Sequence, residues 1–330
     1  MAPSVCPDCF TGTLRGDAMP RGRDFNVHGL PTYVVGPEPG VRPLGVVVIF
    51  CDAFGWKLLN TRALADTYAQ RVPCTVYVPD IMAGHAPPNT FMTLSESKPP
   101  PTANVLSKLA SRIWTNLRIL PMLLRFVYHN RASVVQPRVH AFIHSVRNTT
   151  PPQQPGKPGK VAVAGFCWGG PFAVRLTHDI PENKTTFPST AAGSSQADDE
   201  AEYYPLVDCA FTAHPAQLSV PEDVQNVVQP LSVANGDDDE WMGREKMETL
   251  KRVLEDKNEA LGQEVHEVQV YPGAKHGFAV RGDREDPQQR ERGYRSEDQA
   301  VRWFRRHFQV GSATTARGVS ASAAAVAGAT

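Results

Sequence analysis

Apolar residues follow two repeating patterns along the chain. Nearly unbroken apolar runs occupy 45–50 (Gly-Val-Val-Val-Ile-Phe), 74–79, 160–166 and 207–213. Two further runs, at 230–235 and 265–271, admit more polar residues, and 31–36 has the look of a short edge strand. Short β-branched runs of this kind predict strands enclosed on both faces. Between them the spacing turns helical. Leu58, Leu59, Leu64, Ala65 and Ala69 share one side of a helix predicted over 58–72. Further helices are predicted over 103–127, 134–147, 169–178, 240–260 and 294–308, the first of them strongly apolar. Strand and helix in alternation predict βαβ units and a mostly parallel central sheet with helices on both faces.

Three segments break the alternation. Residues 1–30, rich in Gly, Pro and Arg, predict an irregular N-terminal arm. Residues 181–204 read as a polar inserted loop, and 311–330 as a disordered low-complexity tail with too little large apolar surface to offset the entropy of ordering. One α/β domain over 31–310 fits a chain of 330 residues.

Lys and Arg total 34 and Asp and Glu total 34, so the net charge is zero. That balance predicts neither a nucleic-acid nor a membrane partner, and no apolar stretch is long enough to span a bilayer. The N-terminus lacks a basic segment followed by an apolar one, so a cytoplasmic protein is expected. Of six cysteines, Cys51, Cys74 and Cys209 sit in apolar runs, as buried structural thiols do. Cys6 and Cys9 form a lone Cys-x-x-Cys without a second pair, which predicts a loop pair and no metal site.

The chemistry concentrates after the run at 160–166, where the chain reads Gly165-Phe-Cys167-Trp168-Gly169-Gly170 and then turns helical. Gly-x-nucleophile-x-Gly between a buried strand and a helix is the pattern of a nucleophile elbow, here with a thiol in the serine's place. A helix N-terminus and a paired histidine would raise the thiolate fraction. In such a fold the acid and then the histidine follow along the chain. Asp237, Asp238 and Asp239 come after the run at 230–235, and His276 after the run at 265–271. His214, in Thr-Ala-His-Pro, is a rival histidine. At the end of the first buried run, Asp52 and Ala53 stand where a carboxylate and one oxyanion-hole N–H would lie; the second N–H would be that of Trp168. The alternative role for Asp52 is capping the helix at 58–72. Trp56, Phe278 and helix 103–127 are candidates for the pocket wall.

Together these residues resemble the dienelactone hydrolase family, the carboxymethylenebutenolidase-like enzymes, and especially its fungal members. The shared stretches read here Asp52-Ala-Phe-Gly-Trp56, Asn60-Thr-Arg-Ala-Leu-Ala-Asp66, Val78-Pro-Asp80, Gly165-Phe-Cys-Trp-Gly-Gly170, His214-Pro215, Gly236-Asp-Asp-Asp239 and His276-Gly-Phe278. The resemblance implies an α/β-hydrolase fold without a large cap domain, and lactone or ester hydrolysis with no metal or cofactor. It implies Cys167 as nucleophile, His276 as base and acid, and Asp239, three residues after Gly236, as the orienting carboxylate. Asp52 matches a glutamate that holds the thiol at rest in bacterial members. Those members carry a substrate-binding arginine four residues after the histidine; here Val280 takes that place and Arg281 follows. Rival expectations are a biosynthetic enzyme acting on a polyketide-derived lactone or thioester, and a non-catalytic binding protein on the same fold.

Overall fold

The apolar runs become an eight-stranded sheet. The computed structural model describes residues 19–87, 105–154, 157–186, 203–281 and 286–309, so Cys6, Cys9, the tail and most of the polar insertion lie outside the described residues. The strands are β1 (Arg23–Val27), β2 (Leu30–Val35), β3 (Val46–Phe50), β4 (Thr75–Pro79), β5 (Val161–Phe166), β8 (Cys209–Ala213), β9 (Leu231–Asp238) and β10 (Glu267–Lys275), with a separate two-stranded ribbon of β6 (Lys184–Thr186) and β7 (Tyr203–Pro205). Their order across the sheet is β1-β2-β4-β3-β5-β8-β9-β10. β4, β3, β5, β8, β9 and β10 run parallel, and β2 and β1 join antiparallel at one edge. Every residue of β3, β5 and β8 is buried, which is why those runs carry no alternation.

The helices are α1 (Leu59–Arg71), α2 (Val105–His129), α3 (Ala132–Thr149), α4 (Gly170–Arg175), α5 (Glu222–Gln225), α6 (Arg244–Leu261) and α7 (Pro287–Phe308). α1 packs beside α7 and α4 beside α5, which in turn meets α6. Phe304 of α7 ties one layer together: its ring lies 5.5 Å from Tyr68 of α1 and 6.3 Å from Phe211 of β8. The chain therefore folds as an α/β hydrolase, with a mostly parallel sheet between helices and no large cap among the described residues.

Several boundaries differ from expectation for physical reasons. Residues 23–27, assigned to the irregular arm, form a strand; the sequence there is polar and its burial low because β1 is the sheet's edge. The turn joining it to β2 is made by His28 and Gly29, both at positive φ (49° and 84°). The expected loop at 236–238 continues β9, and β10 runs four residues beyond 271 through a register shift. α7 starts at 287 instead of 294 because Asp286 caps it, accepting from Gln288 N (2.9 Å) and Gln289 N (3.2 Å), with Pro287 in the first turn. The described ends of the polar insertion pair as β6 and β7.

Candidate active site

Five neighbouring strands each deliver one polar residue at the same edge of the sheet. Asp52 follows β3, Cys167 follows β5, His214 follows β8, Asp239 follows β9 and His276 follows β10. The chain reverses its direction of travel across the sheet between β4 and β5, so the carboxyl ends of β3 and β5 flank the switch point where open α/β sheets hold ligands.

Cys167 occupies the turn between β5 and α4 with φ +51°. A non-glycine residue in this region costs about 1–3 kcal/mol and persists only when its surroundings enforce it. Here the enforcement is close packing. A Cβ at Gly165 would come within 2.6 Å of the Gly169 carbonyl oxygen and 2.7 Å of Ala173 Cβ, and a Cβ at Gly169 would overlap the Phe50 carbonyl oxygen. Ala216 N donates to the Cys167 carbonyl at 2.9 Å, so the loop after β8 braces the turn from the other side.

Of the three adjacent acids, Asp239 meets the histidine. Both its carboxylate oxygens lie 3.0 Å from His276 Nδ1, and Oδ1 also accepts from Trp241 N (2.8 Å) and Met242 N (3.4 Å). Asp237 is exposed and accepts from Gly273 N, and Asp238 is exposed. With Nδ1 engaged by Asp239, the imidazole's contribution toward Cys167 falls to Nε2. Burial pulls the His276 pKa down, yet the negative charge of Cys167, the hydrogen bonds to Asp239 and Cys167 and the Asp239 charge together push it up to about 10. That balance favours the charged form of the ring.

Asp52 is fully enclosed. Its Oδ1 accepts from Phe54 N (3.0 Å) and its Oδ2 lies 3.5 Å from Arg281 Nε. It does not cap α1, whose N-cap is Leu58. Burial pushes the Asp52 pKa up to about 6; Arg281 opposes that push and the Cys167 charge adds to it. Arg281, expected to meet a substrate carboxylate, has a side chain only 1% exposed and is matched by Asp52, with its guanidinium 5.2 Å over the Phe54 ring. It passes against Gly277 (φ +88°), where a Cβ would collide with the guanidinium.

The other expected wall residues also have internal partners. Trp56 is buried with Arg62 stacked 5.0 Å over its ring, and Phe278 packs against Tyr271 and His214 at 5.3 and 5.7 Å. Ala53 lies three residues beyond β3 and Trp168 two residues beyond β5. Trp168 is edge-on to Phe172 at 5.0 Å and to Phe126 of α2 at 5.8 Å, so the inner face of α2, with Ile119, Met122 and Phe126, lies beside the elbow. The rival histidine, His214, also belongs here. It is buried with φ +40° and its ring lies 5.0 Å from that of His276. Trp241, 6.4 Å from the His276 ring, went unforeseen; its one signal was its place two residues after Asp239. Among the described residues no cluster of three or more His, Cys, Asp or Glu is arranged to hold a metal ion.

The mostly parallel sheet, with polar residues gathered past the ends of its central strands, is that of an α/β hydrolase. The family model for the dienelactone hydrolase family matches residues 30–308, and the chain belongs to that family. It is thus a hydrolase acting on ester bonds. Among its relatives, the Hydrolase tropI of Talaromyces stipitatus is 23% identical over 91% of this chain and 96% of its own length. A carboxymethylenebutenolidase homolog of Mus musculus is 25% identical, covering 80% of this chain and 82% of its own. A solved Klebsiella pneumoniae protein assigned to the dienelactone hydrolases superposes with a TM-score of 0.52 at 14% identity, over 86% of this chain and 96% of that one.

Proposed function

We propose that the chain hydrolyses a small lactone or ester through Cys167, His276 and Asp239, by way of a thioester acyl-enzyme. The observation that carries this reading is the buried Asp239–His276 contact of 3.0 Å on the strand ends beside the strained Cys167 turn. Cys167 Sγ attacks the carbonyl carbon, and the backbone N–H groups of Ala53 and Trp168 receive the oxyanion, an interaction worth about 3–4 kcal/mol per donor. Collapse of the tetrahedral intermediate breaks the acyl C–O bond. The departing oxygen takes the Nε2 proton of His276, whose imidazolium Asp239 has held in orientation. Water then gives a proton to His276 and its oxygen to the thioester carbonyl, and Cys167 leaves with the acid released. No metal or cofactor takes part. Thiolates attack activated esters far more readily than amides, so a lactone with a stabilised enolate leaving group suits the site.

The test is hydrolysis of dienelactone, an aryl ester and an acyl thioester by wild type and Cys167→Ala. Expected is activity that vanishes with the thiol, and an acyl adduct on Cys167 seen by mass spectrometry when deacylation is slowed in His276→Asn. Hydrolysis that survives Cys167→Ala would refute the assignment.

A further inference from the structure

α2 has two apolar faces, and only one belongs to the core. Its inner face rests on the domain through Ile119, Met122 and Phe126, the last against Trp168 next to Cys167. Its outer face presents Ile113, Trp114, Leu117, Leu120, Leu124 and Tyr128, each more than half exposed. The spacing 113, 117, 120, 124, 128 makes these one continuous stripe along the helix. Exposed apolar stripes of this extent mark an interaction surface.

The charge on the same helix identifies the partner. Over Val105–His129 the sequence contains Lys108, Arg112, Arg118 and Arg125 and no Asp or Glu. The chain-wide balance of charge, which predicted no membrane partner, conceals this local excess. A basic helix with a broad apolar stripe and aromatic residues near both ends of it matches an anionic lipid surface, where cations meet headgroups and apolar side chains enter the acyl boundary. Among the described residues no helix is long and apolar enough to cross a membrane, so α2 would lie on the surface. A second copy docked on the same face would instead bring two all-basic helices together.

We propose that the outer face of α2 docks the protein onto anionic membranes, placing the thiol site beside the bilayer surface. The proposal rests on the reading of this site as an ester hydrolase, because the helix that would meet lipid is the one that packs on Trp168; the class of substrate it favours is an apolar ester or lactone dissolved in lipid.

The experiment is co-sedimentation of the full chain with vesicles of phosphatidylcholine alone and of phosphatidylcholine with phosphatidylserine. Expected is at least tenfold stronger partition onto the anionic vesicles, since each basic residue at such a surface is worth roughly fivefold, weakening as salt rises. Leu117→Glu/Leu124→Glu, both on the exposed stripe, abolishes partition while hydrolysis of a water-soluble aryl ester stays at the wild-type rate. Absence of binding to anionic vesicles, or equal binding by wild type and the double variant, would overturn the proposal. So would a dimer in sedimentation velocity that the double variant dissociates, which would give the face to a second copy. The aryl-ester assay with Cys167→Ala reports separately on the proposed hydrolysis, so failure of one reading is distinguishable from failure of the other.

Discussion

Replacing Cys167 should change the titration of His276, and this is the sharpest check on the proposed ion pair. The imidazolium is lifted from 6.5 to about 10 although burial alone would depress it. That rise is worth roughly 5 kcal/mol in favour of the charged ring. The first cause opposing burial is the charge of Cys167 itself, with a hydrogen bond between the two side chains in addition. Cys167→Ala removes both and leaves the ring buried with Asp239 alone. A fall of at least about two pH units, roughly 3 kcal/mol, is therefore expected. The assay is proton NMR of the imidazole Hε1 signals across pH 5–11, with His276→Asn identifying the relevant one of ten histidines. In wild type the His276 signal should stay at its protonated position through neutrality and move only toward pH 10. In Cys167→Ala it should titrate well below that. An unchanged midpoint in the variant, or a wild-type midpoint near 6.5, would show that the thiol does not supply the field and that the ion-pair reasoning is wrong.

Arg281→Met leaves Asp52 buried without its cation, which should cost about 3–5 kcal/mol in urea unfolding at pH 8. Burial already raises the Asp52 pKa to about 6 and Arg281 restrains it, so the variant's carboxyl takes up a proton more easily. The folded state thus holds the proton more tightly than the unfolded one, and the loss should shrink on going from pH 8 to pH 5; Asp52→Asn added to Arg281→Met should recover much of it. A loss independent of pH would mean the pair is not what stabilises this corner. His266 tests the opposite sign. It is buried at the end of α6's return loop, accepts from Leu231 N at 3.3 Å, and burial lowers its pKa to about 4. Stability should be complete above pH 6.5 and fall as pH drops through 4, by up to roughly 3 kcal/mol. Thermal melts of His266→Gln should show a flatter acid limb, and an identical limb would assign acid sensitivity to other groups.

How much of this was legible in the sequence depends on which force fixes each element. β3 and β5 were readable to within a residue because strands covered on both faces have to be apolar throughout. β1 was not, because an edge strand with exposed side chains leaves no apolar pattern; its trace was the His28-Gly29 turn. α7 began earlier than its apolar period suggested, although Asp286 followed by Pro287 is a start signal in its own right. At the site, Cys167 and His276 were legible from the strand-turn context each residue sits in, and Asp239 was separable from its two neighbours only by resemblance. The structure distinguishes them by burial and by the contact with Nδ1.

Arg281 is the residue whose position in the sequence says least about its surroundings, and the reason is geometric. Counting from His276 places a cation near the substrate but says nothing about where the side chain points. The direction is set by Gly277, whose missing Cβ opens the path along which the guanidinium reaches Asp52. Asp52 in turn lies next to Cys167 only because the chain crosses the sheet backwards, laying β4 on the far side of β3 and leaving β3 and β5 adjacent. Two residues 115 positions apart thereby become neighbours of the same buried charge. Linear order carries the identity of such residues; the strand permutation decides which of them share a field. Cys167, Asp52, Asp239, His276 and Arg281 are enclosed at one sheet edge, where each bears on the charge of its neighbours. Any substitution that removes one charge should therefore shift the protonation of the others before it disturbs the fold.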